Sequence, residues 1–493
     1  MSLAKHAKSA VLWNAAFMFF RTAILGLGSF LIFRRLLAPS DYGIFNFVNS
    51  VIGFLQMFAF NCFVAYTVQV RDEQDTHFQN HFTAGAFFQI PLFIITNLVA
   101  FGLRWFPQYA VITPYLHLVS LLFLLDWGCE FRRKMLERAF NWPRLRALHA
   151  IGLLAGFLVQ LWLVLAHYGA YALVVPVLVV TLPFIIDLFI ISKWRPSWTW
   201  SWKDYKPAWR FGWTRVASGL AFRGRQLIES AVVVSLLGLG KLGILGSAVG
   251  FGQMLCQNFA EQLMAAIYPV LTRVNPDPHN VSRVNALVLR LIAWVTIPVG
   301  WVAALLAGQV LLDIWGSKWS PIAPLLPWAM LAGVAVTLAQ TANTLLLSKE
   351  KLKHCLVADF LVLAGTVLAL IFALPHGLQA YLMTIACVQL VVLVLMLVWL
   401  VEGHHLKTGG VFDALLPALL ACAIAFGVCQ AALKGTGADI KSFWVAVVYG
   451  AGFTLLYLLV LRLGFTARLR ELAVYVPGSK YLNRILRLDQ DGH

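Results

Sequence analysis

Continuously apolar runs recur along the whole chain, for example at 83–103, 149–166, 171–192, 285–307, 355–374, 377–401 and 442–463. A helix needs about 20 such residues to cross a bilayer, and roughly 14 runs of that length are visible. They are apolar throughout rather than alternating, which selects helices over a barrel. Only 12% of the 493 residues are charged and 60% are hydrophobic, too little charge to clothe a soluble surface of this size. The chain therefore reads as an all-α polytopic membrane protein.

The start, MSLAKHAKSAVLWN, leads straight into a full-length span and has no small-residue cleavage site, so a cleavable signal peptide is not expected. Seven cysteines lie scattered, mostly inside spans, with no CxxC or metal-type spacing. The twelve histidines are equally dispersed. No metal site and no cofactor are expected.

The formal charge of +17 raises the prospect of nucleic acid, but its distribution argues for a membrane instead. With the N-terminus inside, roughly 26 Lys and Arg fall in or beside the inner loops and tails against about 7 outside. The largest inner clusters are 130–146, 193–210, 348–353 and the C-terminal tail. Both termini are thereby expected in the cytoplasm. Arg34 and Arg35 dissent on the outer side, within snorkelling reach of the first span. Loops are short, the longest inner one about 20 residues, which leaves no room for a soluble catalytic domain. The tryptophans of SWTWSWKDYKPAW read as an interfacial belt, and the tail 465–493 as an amphipathic segment on the inner leaflet.

An internal repeat is visible. In FRRLLAPSDYGIFNFVNSVIGFLQMF (33–58) and VVSLLGLGKLGILGSAVGFGQMLCQNF (233–259), Leu36-Leu37 align with Leu236-Leu237, Gly43-Ile44 with Gly243-Ile244, and Leu55 with Leu255. The copies start six spans apart, an even number, so the repeats are parallel. This predicts two pseudo-symmetric six-helix lobes around a central cationic cavity, residues 1–205 and 206–402, followed by two additional spans (403–464) and the tail.

The polar residues follow that repeat. On span seven, Arg215, Ser218, Arg223, Arg225, Gln226, Glu229 and Ser230 share one half of the helix, and Val216, Leu220, Leu227 and Val234 the other. Span one carries Asn14 and Arg21 on one face, span two Asn46, Ser50, Gly53 and Asn61, and span eight Gln253, Gln257 and Glu261. An arginine near the bilayer centre costs about 2.5–3.5 kcal/mol, so several of them must face water or a partner. A hydrated cationic cleft satisfies them, and guanidinium forks suit phosphate oxygens. The plainer alternatives are that Arg225 and Glu229, four apart, neutralise each other, that Arg215 snorkels, and that Arg223 pairs with Asp187 or Asp359.

At LIFRRLLAPSDYGIFNF the sequence resembles the polysaccharide transporter (Wzx-type) family of the multidrug/oligosaccharidyl-lipid/polysaccharide flippase superfamily. The shared turn is Arg35, Leu36, Leu37, Pro39, Asp41, Tyr42 and Gly43; LLGLGKLGILGSAVGFGQM and YPVLTRV (268–274) add to the likeness. The resemblance implies a flippase that moves undecaprenyl-pyrophosphate-linked oligosaccharide across the bacterial inner membrane. It further implies membrane lipids, a polysaccharide polymerase and a chain-length regulator as partners. Alternating access and coupling to a proton or sodium ion are expected, through Glu229, Glu261, Asp126, Asp187 or Asp359. Many relatives carry an acid at the Gln226–Glu229 stretch. The rival readings are a cation-coupled drug antiporter of the same superfamily, which favours carboxylates over arginines in its cleft, and a membrane-embedded polymerase or ligase, for which the outer loops are too short. A non-transporting scaffold for a glycan assembly complex is a third; it would explain the helices but not the charged faces.

Overall fold

The computed structural model describes residues 3–26, 28, 33–64, 66, 75–271, 278–347, 351–436 and 443–473. It is helical throughout, with no strand among those residues. Ten described helical stretches are long and apolar enough to cross a membrane, which makes this a multi-pass membrane protein. The expected count of about fourteen is not reached on that measure. Four further long helices, Leu3–Leu25, Pro39–Leu55, Thr113–Arg138 and Trp202–Leu237, carry more polar or charged residues or are shorter. Three of these four are spans one, two and seven, where the sequence places its polar faces.

The chain divides into two compact units, residues 1–246 and 247–493. The first holds α1 (Leu3–Leu25), α2 (Arg34–Leu36), α3 (Pro39–Leu55), α4 (Asn61–Val64), α5 (Asp75–Leu103), α6 (Pro107–Ala110), α7 (Thr113–Arg138), α8 (Trp142–Leu165), α9 (Tyr171–Val179), α10 (Leu182–Ile186) and α11 (Trp202–Leu237). Helix α12 (Leu239–Leu271) starts there and runs into the second unit. The lobe boundary at 205/206 rests on the sequence repeat; in the structure α11 packs on α3 and α4, inside the first unit.

Local chemistry sets the helix ends. Pro39 opens α3, and the Asp41 carboxylate accepts the Ala38 backbone N–H at 2.8 Å, satisfying a donor that the first turn leaves unpaired. Asn141 caps α8 by accepting the Arg144 N–H. Gly238, at φ +82°, makes the turn between α11 and α12, a conformation that a side chain would strain. Beyond α10 one π-helical turn, Asp187–Ile191, closes the sixth rod.

The linker that follows is pinned down. Gln79 Nε2 donates to the Arg195 carbonyl at 2.8 Å and Gln79 Oε1 accepts from Ser197 N at 2.6 Å. Thr83 Oγ1 accepts from Thr199 N, and the Asn80 carboxamide both donates to and accepts from the Ser201 backbone at 2.9 Å. Of the tryptophans expected to form an interfacial belt, Trp198, Trp200 and Trp202 are exposed, whereas Trp209, like Trp194, packs against the buried core of Phe82, Phe131 and Leu188.

In the second unit, α13 (Pro278–Trp315), α14 (Leu326–Leu347), α15 (Leu352–Phe372), α16 (Leu378–Glu402), α17 (Thr408–Thr436) and α18 (Phe443–Gly464) share one apolar core. Buried polar groups staple it: Trp294 Nε1 donates to the Ala414 carbonyl at 3.1 Å and Tyr457 Oη to the Trp294 carbonyl at 2.8 Å. The short helix α19 (Thr466–Ala473) is held by Glu471, which pairs with Arg290 at 2.8 Å and Arg283 at 3.5 Å, and by Arg468 with Asp413 at 2.6 Å. The expected tail beyond residue 473 lies outside the described residues.

Candidate functional site

Helix α3 does not run straight through. It ends at Leu55, passes a single 3-10 turn, Gln56–Phe58, and restarts at Asn61. The face expected to be continuous from Asn46 to Asn61 is therefore broken. Ser50 turns back to the Phe47 carbonyl at 2.7 Å, and Asn46 lies against Gly246 of α12.

At Gly53, one turn before the break, α11 brings in Arg223. A Cβ on Gly53 would stand 3.2 Å from an Arg223 guanidinium nitrogen, so the glycine makes the notch in which that charge rests. Arg223 donates to Gln226 Oε1 at 3.0 Å and forms no ion pair among the described residues. Asp187 is not its partner there. Asp187, itself buried, is clasped by buried Arg132 at 2.6 Å and by the more exposed Arg144 at 2.5 Å, which ties α7, α8 and the π turn together. Arg225 lies 3.8 Å from Glu229, a loose half-buried pair four residues apart. The guanidinium groups of Arg223 and Arg225 also lie over the Phe222 ring, at 5.6 Å.

In the turn that follows α3, Gln56 Nε2 donates to Asp126 Oδ2 of α7 at 3.2 Å, and Asn61 hydrogen-bonds the same carboxyl. Asp126, Cys129 and Glu130 bring one ligand-type atom each to within 4.8 Å of one another, and Arg133 pairs with Glu130. A polar seam thus crosses the apolar interior of the first unit from α11 through the α3–α4 break to α7.

The remaining candidates fall elsewhere. Arg21 is exposed on α1, in electrostatic range of His149 on α8, and Asn14 accepts from Arg146 Nε at 2.6 Å. Gln257 is buried and Gln253 half-buried on α12. The side chains of Arg215 and Glu261 lie outside the described residues. Sequence reasoning missed Gln56, Cys129, Glu130 and Arg133. The available signal was the Asp126/Glu130 pair, two carboxylates four apart running out of an apolar stretch, where like charges repel.

Residues 32–324 match a family model described as polysaccharide biosynthesis protein. The chain belongs to that family. Every residue of the seam, from Gly53 to Glu229, lies inside the matched region, while α14 to α19 lie beyond it. It is similar to the succinoglycan biosynthesis transport protein ExoT of Rhizobium meliloti (strain 1021), 23% identical over 60% of each chain. The chain thus spans less than two thirds of that relative's length. It also resembles a membrane protein of the cps region of Klebsiella pneumoniae, 19% identical over 67% of this chain and 69% of the other. Its fold is shared with the lipid II flippase MurJ in an inward closed conformation, TM-score 0.70 at 15% identity over 92% of this chain and 98% of that one. An inward-facing multidrug resistance MATE transporter has the same fold, TM-score 0.63 at 13% identity over 80% and 98%.

Proposed function

We propose that the protein is a flippase that carries an undecaprenyl-pyrophosphate-linked oligosaccharide across the bacterial inner membrane by alternating access. One observation carries this reading. Arg223 is a guanidinium set into a glycine notch of a membrane domain, with a neutral carboxamide as its partner and, among the described residues, no carboxylate on it. An intramembrane cation left uncompensated calls for an anion, and the planar fork matches phosphate oxygens in bidentate geometry. Membership of a polysaccharide biosynthesis family and the transport name of the Rhizobium relative support a polysaccharide precursor as the class of cargo.

In this reading Arg223 and Arg225 hold the pyrophosphate, and Arg21 and Arg215 are further candidates from the sequence to bind it. The glycan is solvated by carboxamides such as Asn46, Gln253 and Gln257, and the polyprenyl tail stays in lipid. The surplus of inner Lys and Arg supports cytoplasmic termini in this reading. The excess of arginines over the single carboxylate Glu229 on the α11 face weighs against a cation-extruding antiporter, a choice the fold does not make because MATE transporters share it.

The test is uptake of radiolabelled lipid-linked oligosaccharide by inverted membrane vesicles. The paired variant Arg223→Ala/Arg225→Ala is expected to abolish uptake at normal protein levels. Unchanged uptake would refute the assignment, and a product of altered chain length would favour a polymerase.

A further inference from the structure

The break in span two points at one carboxyl group. Asp126 receives the Gln56 N–H and a hydrogen bond from Asn61, yet no Lys, Arg or His forms an ion pair with it among the described residues. Glu130, one turn along α7, has Arg133 on it. The two carboxylates therefore share one guanidinium, and Asp126 is the one left over. A second observation is independent of the acids. The Asn61 Oδ1 atom is fully buried and accepts no hydrogen bond, although the same carboxamide touches Asp126. An acceptor buried without a donor is costly, and here it sits beside a group that would become a donor on protonation.

We propose that Asp126 is a proton-binding site. A proton taken from water adds to the carboxylate, and the new O–H donates to Asn61 Oδ1 while the Asn61 N–H continues to donate to the other carboxyl oxygen. The product is a two-bond ring of acid and amide that satisfies every polar atom in it. Release returns the proton to water and restores the present arrangement. A metal ion fits less well, since Gln56 presents an N–H to the site and Arg133 adds a positive charge, whereas hard cations need converging oxygen acceptors.

Nearby charges are engaged elsewhere. Arg132 and Arg144 clasp Asp187, Lys134 holds Glu137 at 2.6 Å, and Arg146 donates to Asn14. From α11 the approaching charge is Arg223, at Gly53, one turn from Gln56. Proton binding at Asp126 stands without the flippase reading. Its use as the coupling ion, through the break that joins it to Arg223, rests on that reading.

The experiment uses the full chain in nanodiscs and pH-difference infrared spectroscopy. A protonated-carboxyl band is expected in the wild type and in Asp126→Glu, and is expected to vanish in Asp126→Asn but persist in Glu130→Gln. Carbon-13 aspartate labelling of the wild type, which needs no variant, is expected to move the band, and labelled glutamate is not. An unchanged band in Asp126→Asn, a band that moves with glutamate labelling, or saturable sodium binding at fixed pH that disappears in Asp126→Asn would each overturn the proposal. In inverted vesicles, uptake is expected to respond to an imposed pH gradient in the wild type and to lose that response in Asp126→Asn. Wild-type vesicles with no uptake at all would sink the flippase reading and leave the infrared result standing by itself.

Discussion

Gly43 and Gly243, equivalent positions of the sequence repeat, lie against each other where α3 crosses the start of α12. A Cβ on Gly43 would strike the Leu239 carbonyl, and one on Gly243 the Pro39 carbonyl and the Gly43 nitrogen. The contacts are reciprocal, 43 to 239 and 243 to 39, as a two-fold relation between repeats demands. Both obstacles are backbone, so no side-chain rotation relieves them.

Gly243→Leu is therefore expected to destabilise the protein by about 1–3 kcal/mol or more, through overpacking. Gly240→Ala on the same helix meets nothing within 4 Å and is expected to be neutral or to stabilise by up to about 1 kcal/mol, from helix propensity alone. Thermal unfolding of the two purified variants in detergent, followed by tryptophan fluorescence, checks the contrast.

Asp187 stands between two arginines with its side chain 2% exposed. Asp187→Asn leaves Arg132 buried without a counter-charge, an expected loss of about 3–5 kcal/mol. Arg144→Gln should cost far less, because Arg144 is 37% exposed and partly screened. Equal losses in the two variants, measured by the same unfolding assay, would contradict the asymmetry.

Arg223→Lys keeps the charge beside Gly53 and removes the planar fork. If the group reads pyrophosphate, uptake of lipid-linked oligosaccharide should fall by about tenfold, some 1.4 kcal/mol, at unchanged expression. A lysine variant with wild-type uptake would show that charge alone suffices.

The Asn80 carboxamide is buried and makes two hydrogen bonds to the Ser201 backbone. Asn80→Ala strands both backbone groups, at about 1–3 kcal/mol, and should loosen the linker. Faster tryptic cleavage after Lys193, an exposed residue, is the expected readout.

Much of the architecture was legible because a bilayer permits few solutions. Continuous apolar runs dictated helices, and the repeat at Gly43 and Gly243 named the residues that meet. Pairings across distant segments were not legible. Nothing in FLQMFAFNCF, which has neither Pro nor Gly, announces that the helix stops at Leu55. Gln56 and Asp126 are 70 residues apart, and only packing of α3 on α7 joins them. For the same reason Asp187 looked available to Arg223, although two closer arginines had already claimed it. That Arg223 has no ion pair among the described residues, and rests instead against Gln226 and the notch at Gly53, was not legible in the sequence.

The pinned linker has a mechanical corollary. Five hydrogen bonds fasten residues 195–201 to the first turns of α5, so that stretch behaves as a clamped beam with no slack to pay out. Flexion beyond it has to be absorbed within α11 itself, whose Gly224, one residue past Arg223, has open space around its missing side chain.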